Sequence, residues 1–141
     1  LQEVTHNLVG IIRTGVELKD AIEKIAEIRK RSANVAVAGG RKFNPGFHLA
    51  FDLDNMLLVA ESTAKSALRR EESRGGHTRD DFPGMDTTWR QINNIASFDG
   101  KVVNIKAQPL PPMPKELFDL FDIHELEKYL TPEEIAKGGS N

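Results

Sequence analysis

The sequence predicts a mainly α-helical fold, a three-helix bundle similar to a spectrin repeat, followed by a β-hairpin and a proline-rich tail with short helices. Apolar residues recur at helical spacing in the first half, an Asp-Gly pair separates two strand-like runs, and four prolines cluster further along the chain. We expect the bundle at residues 1–75, a docking loop at 76–94, the hairpin at 95–107 and the extension at 108–141.

The first two helices are marked by apolar spacing and by a capping signal. Val4, Leu8 and Ile11 predict a short first helix that ends near Arg13. The run from Thr14 to Glu17 fits a capping box, in which the hydroxyl and the carboxylate satisfy opposite backbone donors. The second helix therefore begins there, and its apolar face consists of Leu18, Ile22, Ile25 and Ile28.

The third helix begins at Asn44-Pro45, because asparagine is a strong N-cap and proline suits the first helical position. Small and apolar residues then follow at steps of three and four, and they would let a neighbouring helix approach closely. This stripe consists of Ala50, Leu53, Leu57, Ala60, Ala64 and Ala67. The pattern favours a mostly antiparallel bundle.

The pattern changes after Trp89 to short extended runs. Asp99-Gly100 lies between them and predicts a two-residue hairpin turn whose central positions both need positive φ. A lone hairpin is marginal in water, so it must rest on the bundle or on another domain. In the tail we expect two short helices, one over Lys115–Phe121 and one opened by the capping box from Thr131 to Glu134.

The composition excludes several functional classes. The 141 residues include 39% hydrophobic and 28% charged side chains, with a net charge of −2, which argues against a general nucleic-acid-binding protein. No apolar run is long enough for a membrane span. The absence of cysteine excludes disulfides and thiol chemistry and fits a reducing compartment. Because the chain begins at Leu1, without an initiator methionine, we expect a piece of a longer protein.

Residues 71–83, here called the charged segment, have a composition that packing needs do not explain. Seven of the thirteen side chains can carry charge, and two adjacent glycines let the backbone bend. Arg74 and Arg79 can clamp a carboxylate, and His77 between them can transfer a proton. In the alternative interpretation, which composition favours, the arginines pair with the segment's own carboxylates and fix its shape. Those carboxylates are Glu71, Glu72, Asp80 and Asp81.

Other candidate sites in the sequence are weaker. His48 and Asp52 lie one helical turn apart and resemble half of a metal site, but no third ligand is visible, so an exposed hydrogen-bonded pair is favoured. Gly39-Gly40 lacks the spacing of a phosphate-binding loop. His6 and His124 are interpreted as surface residues. We therefore predict no metal site and no catalytic residue.

The charged segment carries a family resemblance. Residues 72–83 read ESRGGHTRDDFP and closely resemble the C-terminal-domain signature of succinate dehydrogenase and fumarate reductase flavoprotein subunits. The helix over 55–64 and the region from Trp89 through the hairpin are similar to the family segments on either side. The runs at 44–48 and 126–130 resemble the actinobacterial version, so the resemblance covers nearly the whole chain.

The resemblance implies a function for the parent protein rather than for this piece. The parent subunit would oxidise succinate to fumarate, or the reverse, through FAD, and would pass electrons to an iron–sulfur subunit. The family's flavin-binding and catalytic residues lie in upstream segments, and no position here matches them. We therefore expect no cofactor-binding residue in this chain, no activity of the piece alone, and a peripheral location on the cytoplasmic face of the membrane through the parent complex.

The role that the resemblance implies for the charged segment is interdomain docking against the flavin-binding and capping domains. The residues expected to dock are Glu72, Arg74, His77, Arg79, Asp81 and Phe82. Two alternatives remain: the similar helical domain of L-aspartate oxidase, and a free-standing helical interaction module. An isolated domain with an exposed docking face is also expected to form a dimer in a crystal or in solution.

Overall fold

Helices dominate the computed structural model, which describes residues 1–138. Three of them form the predicted bundle, and four short ones follow it. In chain order the helices are α1 (Gln2–Leu8), α2 (Gly15–Ser32), α3 (Pro45–Arg69), α4 (Thr87–Arg90), α5 (Lys115–Phe118), α6 (Ile123–Leu126) and α7 (Pro132–Ala136). The chain divides into two compact units, the first covering Leu1–Gln108 and the second beginning at Pro109.

Four short strands form two separate two-stranded sheets. They are β1 (Ile12–Arg13), β2 (Thr78–Arg79), β3 (Ile92–Phe98) and β4 (Val103–Pro109). Strands β1 and β2 are parallel, with Ile12 opposite Thr78 and Arg13 opposite Arg79. The other sheet joins β3 to β4. The β1–β2 pair is therefore a long-range connection that fastens the charged segment to the start of the bundle.

The local signals for the starts of α2 and α3 are confirmed. The Thr14 hydroxyl accepts from the amide of Glu17, whose carboxylate accepts from the amide of Thr14 at 2.7 Å. Asn44 caps α3 through its side-chain oxygen, which accepts from the amide of Phe47, and Pro45 occupies the first turn. Both helices therefore begin where short-range hydrogen bonding dictates.

The predicted end of the first helix is wrong. Helix α1 stops at Leu8 rather than near Arg13, because the chain there turns into β1. The carbonyl of Ile11 accepts from the amide of Thr78 at 3.1 Å, and that of Arg13 accepts from Asp80 at 3.1 Å. Pairing with a distant strand thus overrides the helical spacing of the local apolar residues.

The core of the first unit lies between the helices of the bundle. Its centre is formed by Ile25 of α2 with Leu57, Ala60 and Ala64 of α3. The apolar residues packed around it are Leu1, Val4, Val9, Ile22, Ile28 and Leu53. The alanines let α2 and α3 approach closely, as the small-residue stripe predicted.

Helices α2 and α3 are antiparallel. Near the end of α2, the hydroxyl of Ser32 lies 3.4 Å from the carboxylate of Asp54 in the first half of α3. A methyl group of Leu68, in the last turn of α3, lies 3.8 Å from the side-chain position at Gly15, the first residue of α2. The C-terminus of α3 therefore meets the N-terminus of α2.

The hairpin is confirmed, but its turn differs from the prediction. Four residues, 99–102, connect the strands instead of two, and Gly100 alone among them has a positive φ, of 92°. The Asp99 carboxylate accepts from the amides of Lys101 and Val102 at 2.9 and 2.8 Å, and this local bonding replaces the two-residue turn. The hairpin rests on the bundle, since the ammonium of Lys65 donates to the carbonyl of Val103 at 2.9 Å.

Up to residue 138, the second unit contains three single-turn helices, one more than predicted. Helix α5 ends at Phe118 instead of Phe121, and α6 follows with Asp122 as its N-cap, accepting from the amide of His124 at 2.9 Å. Helix α7 begins with the expected capping box between Thr131 and Glu134. Within residues 1–138, no helix has the combination of length and apolar character that crossing a membrane requires.

The charged segment as a candidate docking site

Arg79 is the centre of the charged segment and is only 2% exposed. Its Nε and Nη2 donate to the two carboxylate oxygens of Asp81 at 2.8 and 2.7 Å. Its Nη1 donates to the carbonyls of Ala67, Leu68 and Arg70 at 2.9, 3.0 and 3.2 Å. The first two carbonyls lie in the last turn of α3 and the third belongs to its C-cap residue, where the negative end of the helix dipole favours a cation. The guanidinium therefore caps α3.

Asp81 extends this contact to the next helix. Its Oδ2 also accepts from the amide of Gly15, the first residue of α2, at 2.9 Å. The hydrogen bonds from Arg79, assisted by the Gly15 amide, hold the pKa of the Asp81 carboxyl far below its usual range. A single ion pair thus joins the negative end of α3 to the positive end of α2. The Phe82 ring packs against the same guanidinium, with its ring centre 5.0 Å from Cζ of Arg79.

Glu72 is fully buried and collects donors from three directions. Arg74 donates through Nη2 at 2.9 Å, Arg70 donates through Nη1, and the backbone amide of Asp86 donates at 2.9 Å. Burial by itself raises the pKa of the Glu72 carboxyl, but the bonds from Arg74, Asp86 and Arg70 outweigh burial, and the pKa is lowered. The carboxylate is therefore ionised and fastens the segment to the end of α3 and to the start of α4.

His77 is held as a neutral ring between two elements. Its Nδ1 lies 2.7 Å from Nη2 of Arg13, and its Nε2 lies 3.1 Å from the carbonyl of Arg70. A guanidinium only donates, so Nδ1 accepts and the proton sits on Nε2, which donates to the carbonyl. Burial lowers the pKa of His77, and the charges of Arg13, Arg70 and Arg79 lower it further against the opposing carbonyl bond. The ring is therefore a fixed hydrogen-bond bridge.

The backbone of the charged segment is closed by a tight turn and by one hydroxyl. Arg74 and His77 exchange backbone hydrogen bonds of 2.8 and 3.0 Å around Gly75, whose φ is 59°. The Ser73 hydroxyl accepts from the amide of Arg79 at 2.8 Å and lies 2.8 Å from the carbonyl of Phe82, to which it donates. The segment is therefore bonded internally as well as to the bundle.

The six predicted docking residues divide into an interior and a rim. Glu72 and Arg79 are buried, whereas the side chains of Arg74 and Asp81 are 31% and 36% exposed. His77 and Phe82 are half-buried. The ion pairs Arg74–Glu72 and Arg79–Asp81 are those that the structural interpretation favoured, and Glu71 and Asp80 remain exposed. Docking through these residues stays a prediction.

Sequence reasoning missed four residues that complete the site. Arg13, Gly15 and Arg70 lie outside the charged segment and bond to it, and Ser73 lies within it and closes its backbone. Arg13 and Gly15 meet partners 64 and 66 positions away, so no local pattern marks them. The only signal in the sequence for Arg13 and Gly15 is their position beside the Thr14 capping box.

The weaker candidates do not form a site of their own in the described residues. His6, His48, Asp52 and His124 are exposed, and no hydrogen bond joins His48 to Asp52 in the described part of the chain. Among residues 1–138 there is no group of three or more His, Cys, Asp or Glu side chains placed to hold a metal. An apolar groove of about 620 Å³ lies between α1 and α3 and has no glycine-rich turn in its lining. These residues do not fit a flavin site.

Comparison with known proteins identifies the family. Residues 1–117 match the sequence model of a family described as the fumarate reductase flavoprotein C-term. The chain belongs to this family. Its members are C-terminal domains of flavoprotein subunits, which supports the succinate/fumarate interpretation over L-aspartate oxidase and over a free-standing module.

Relatives and solved structures agree with this assignment. The fumarate reductase flavoprotein subunit of Helicobacter pylori is 37% identical over 121 residues, covering 83% of this chain and 17% of the relative. That of Mycobacterium tuberculosis is 39% identical over 87 residues, covering 61% and 15%. The Sdh1 complex of Mycobacterium smegmatis, in its apo form, matches with 48% identity and a TM-score of 0.81, covering 96% of this chain and 24% of that chain. The chain spans about a sixth of the length of these curated relatives.

Proposed function

We propose that this chain is the C-terminal, structural domain of an FAD-dependent subunit that interconverts succinate and fumarate. The observation that carries the structural role is the Arg79–Asp81 pair, which joins the end of α3 to the start of α2. The same holds for Glu72, whose oxygens are occupied by two arginines and a backbone amide. Charged groups engaged in this way hold a fold together and are not free to bind substrate.

The flavin and the reacting residues would lie in the remaining part of the subunit. The four segments, 1–75, 76–94, 95–107 and 108–141, would act together as one C-terminal domain of that subunit. Electrons would leave through an iron–sulfur partner, as expected for a subunit whose relative with 48% identity is part of a complex. We place the assembly on the cytoplasmic face of the membrane, held there by the parent complex.

The partly exposed rim of the charged segment would dock against the flavin-binding and capping domains. Arg74, His77, Asp81 and Phe82 form this rim, because each presents part of its side chain to solvent. The buried Glu72 would support the rim without touching the partner. An aromatic ring packed against a cation is a rigid contact, since its position is fixed before docking.

The test compares the full-length subunit with a variant that carries Phe82→Ala. We expect the wild-type subunit to oxidise succinate with an artificial acceptor and to reduce fumarate with a reduced dye, and to leave L-aspartate unchanged. The variant is expected to lose flavin on dilution at least several times faster, while thermal unfolding of the domain changes little. A matched control, Phe51→Ala, alters an exposed ring outside the segment and is expected to behave as wild type.

Two results would contradict the proposal in different ways. Turnover of L-aspartate without turnover of succinate would reassign the parent enzyme. Flavin retention in the Phe82→Ala subunit equal to that of the wild type would remove the docking role while leaving the succinate/fumarate activity in place.

A further inference from the structure

Arg13 carries a charge that nothing in the described part of the chain neutralises. Its Nη1 donates to the carbonyls of Val9 and Gly10 at 3.1 and 2.7 Å, and its Nη2 donates to the neutral ring of His77 at 2.7 Å. Among residues 1–138, no carboxylate forms an ion pair with it, in contrast to Arg74 and to Arg79. All of its hydrogen-bond acceptors are therefore neutral.

The environment of Arg13 makes this charge costly. Burial and the nearby charge of Arg79 lower the pKa of its guanidinium. A guanidinium has five N–H groups, and three of those of Arg13 have partners. Its Nε is buried without a hydrogen-bond partner in the described residues. A partly buried cation with unmet donors is stabilised by an anion, and a carboxylate suits the planar guanidinium best.

A pocket of about 450 Å³ lies at this position. It is open on one side, and its charged lining residues are Arg13 and Arg70, with no carboxylate among the residues that line it. The rest of the lining is small or polar: Ser62, Thr63, Ser66, Ala67, His77 and Asn94. The single carboxylate close to Arg70 is Glu72, which Arg74 shares. The pocket is therefore electropositive and accessible.

We propose that this pocket binds the carboxylate of an aspartate or glutamate side chain presented by the remaining part of the same flavoprotein subunit. The proposal rests on the proposed function and adds a second contact beside the rim of the charged segment. An open pocket encloses a free small anion poorly, whereas a side chain held by a neighbouring domain needs no enclosure. The domain spans about a sixth of its curated relatives, so the rest of the subunit supplies ample surface.

The test uses zero-length crosslinking of the full-length subunit carrying Arg13→Lys. Carbodiimide joins an amine to a carboxylate only when the two are in contact, and peptide mapping by mass spectrometry then names both positions. We expect position 13 to be joined to an Asp or Glu outside residues 1–141. Lys65 and Glu61, 2.6 Å apart, are the internal positive control, and Arg41→Lys on the exposed loop is the matched negative control.

A second lysine variant covers the case in which Arg13→Lys does not fold, and a free dicarboxylate tests whether the pocket binds a small anion instead. If Arg13→Lys fails to fold, Thr63→Lys places the amine on the exposed rim of the same pocket. No crosslink from either position while the Lys65 control forms, or a crosslink to a residue within 1–141 or to a second copy, overturns the proposal. Sodium succinate that quenches Trp89 saturably, where sodium chloride of equal ionic strength does not, would assign the pocket to a free carboxylate. These readouts do not depend on turnover, so they are separate from failure of the proposed function.

Discussion

Replacing Arg79 with alanine is expected to destabilise the domain by about 3–4 kcal/mol. Removing one partner of a buried ion pair costs about 3–5 kcal/mol. The Asp81 side chain is 36% exposed, so water recovers part of its solvation and the lower end of that range applies. The carbonyls of Ala67, Leu68 and Arg70 lose their cap, which adds about 1 kcal/mol. Since small domains have about 5–15 kcal/mol in total, the variant remains folded but is marginal.

Urea unfolding of the 141-residue chain measures this loss directly. Trp89 is the single tryptophan and lies against the guanidinium groups of Arg69 and Arg70, 5.8 and 5.6 Å from its ring centre. Its emission therefore reports on the end of α3 that Arg79 caps. With a denaturant slope of about 1.5–2 kcal/mol/M, the midpoint is expected to fall by about 2 M urea. The control Arg31→Ala changes an exposed arginine and should shift it by less than about a quarter of that.

A lysine at position 79 is expected to replace the arginine only in part. Arg79→Lys keeps the charge but has one compact ammonium, which cannot bond both Asp81 and the carbonyls at the end of α3. We expect it to restore less than half of the loss. A loss below about 1 kcal/mol for Arg79→Ala at an unchanged slope would refute the view that this pair joins the two helices.

Three further predictions concern the same junction. Stability of the wild type should fall as the pH drops below about 6.5, because the unfolded state then binds a proton that the neutral native ring of His77 excludes, and urea midpoints of His77→Asn should lack this component. Gly15→Ala places a methyl group 2.9 Å from Nη2 of Arg79 and should cost about 1–3 kcal/mol in thermal unfolding, while Gly40→Ala, with open space around it, should be nearly neutral. Thr14→Ala removes the N-cap of α2 and should cost about 1 kcal/mol by the same measurement; no loss would contradict the observed capping box.

The elements that could be predicted are those specified by neighbouring residues. Thr14, Asn44 and Thr131 each bond an amide three positions along the chain, so the starts of α2, α3 and α7 follow from short sequence patterns. The extra helix α6 carries a signal of the same kind, since Asp122 precedes Glu125 at capping-box spacing. Its single turn fell below the length at which apolar periodicity is visible.

The elements that could not be predicted depend on partners far away in the chain. Strand β1 exists because the carbonyls of Ile11 and Arg13 meet amides of Thr78 and Asp80, and nothing within residues 9–13 specifies that pairing. The contact between Gly15 and Asp81 is equally remote. The family resemblance marked the charged segment as important, but it did not indicate which of its charges are buried.

Burial of some of these charges distinguishes residues that stabilise the fold from residues that can dock, a distinction that the sequence does not show. A segment with seven ionisable residues can lie within a fold only if each buried charge is paired. Glu72 is paired with Arg70 and Arg74, and Arg79 is paired with Asp81 and bonded to carbonyls at the end of α3. Changes at these two residues must therefore lower stability first and affect docking only as a consequence. Phe82 presents part of its ring to solvent, so a change there is expected to affect docking at nearly constant stability, whereas a change at Arg74 also removes a partner of the buried Glu72 and lowers both. The order of the two losses in a series of variants thus distinguishes the interior of the segment from its rim.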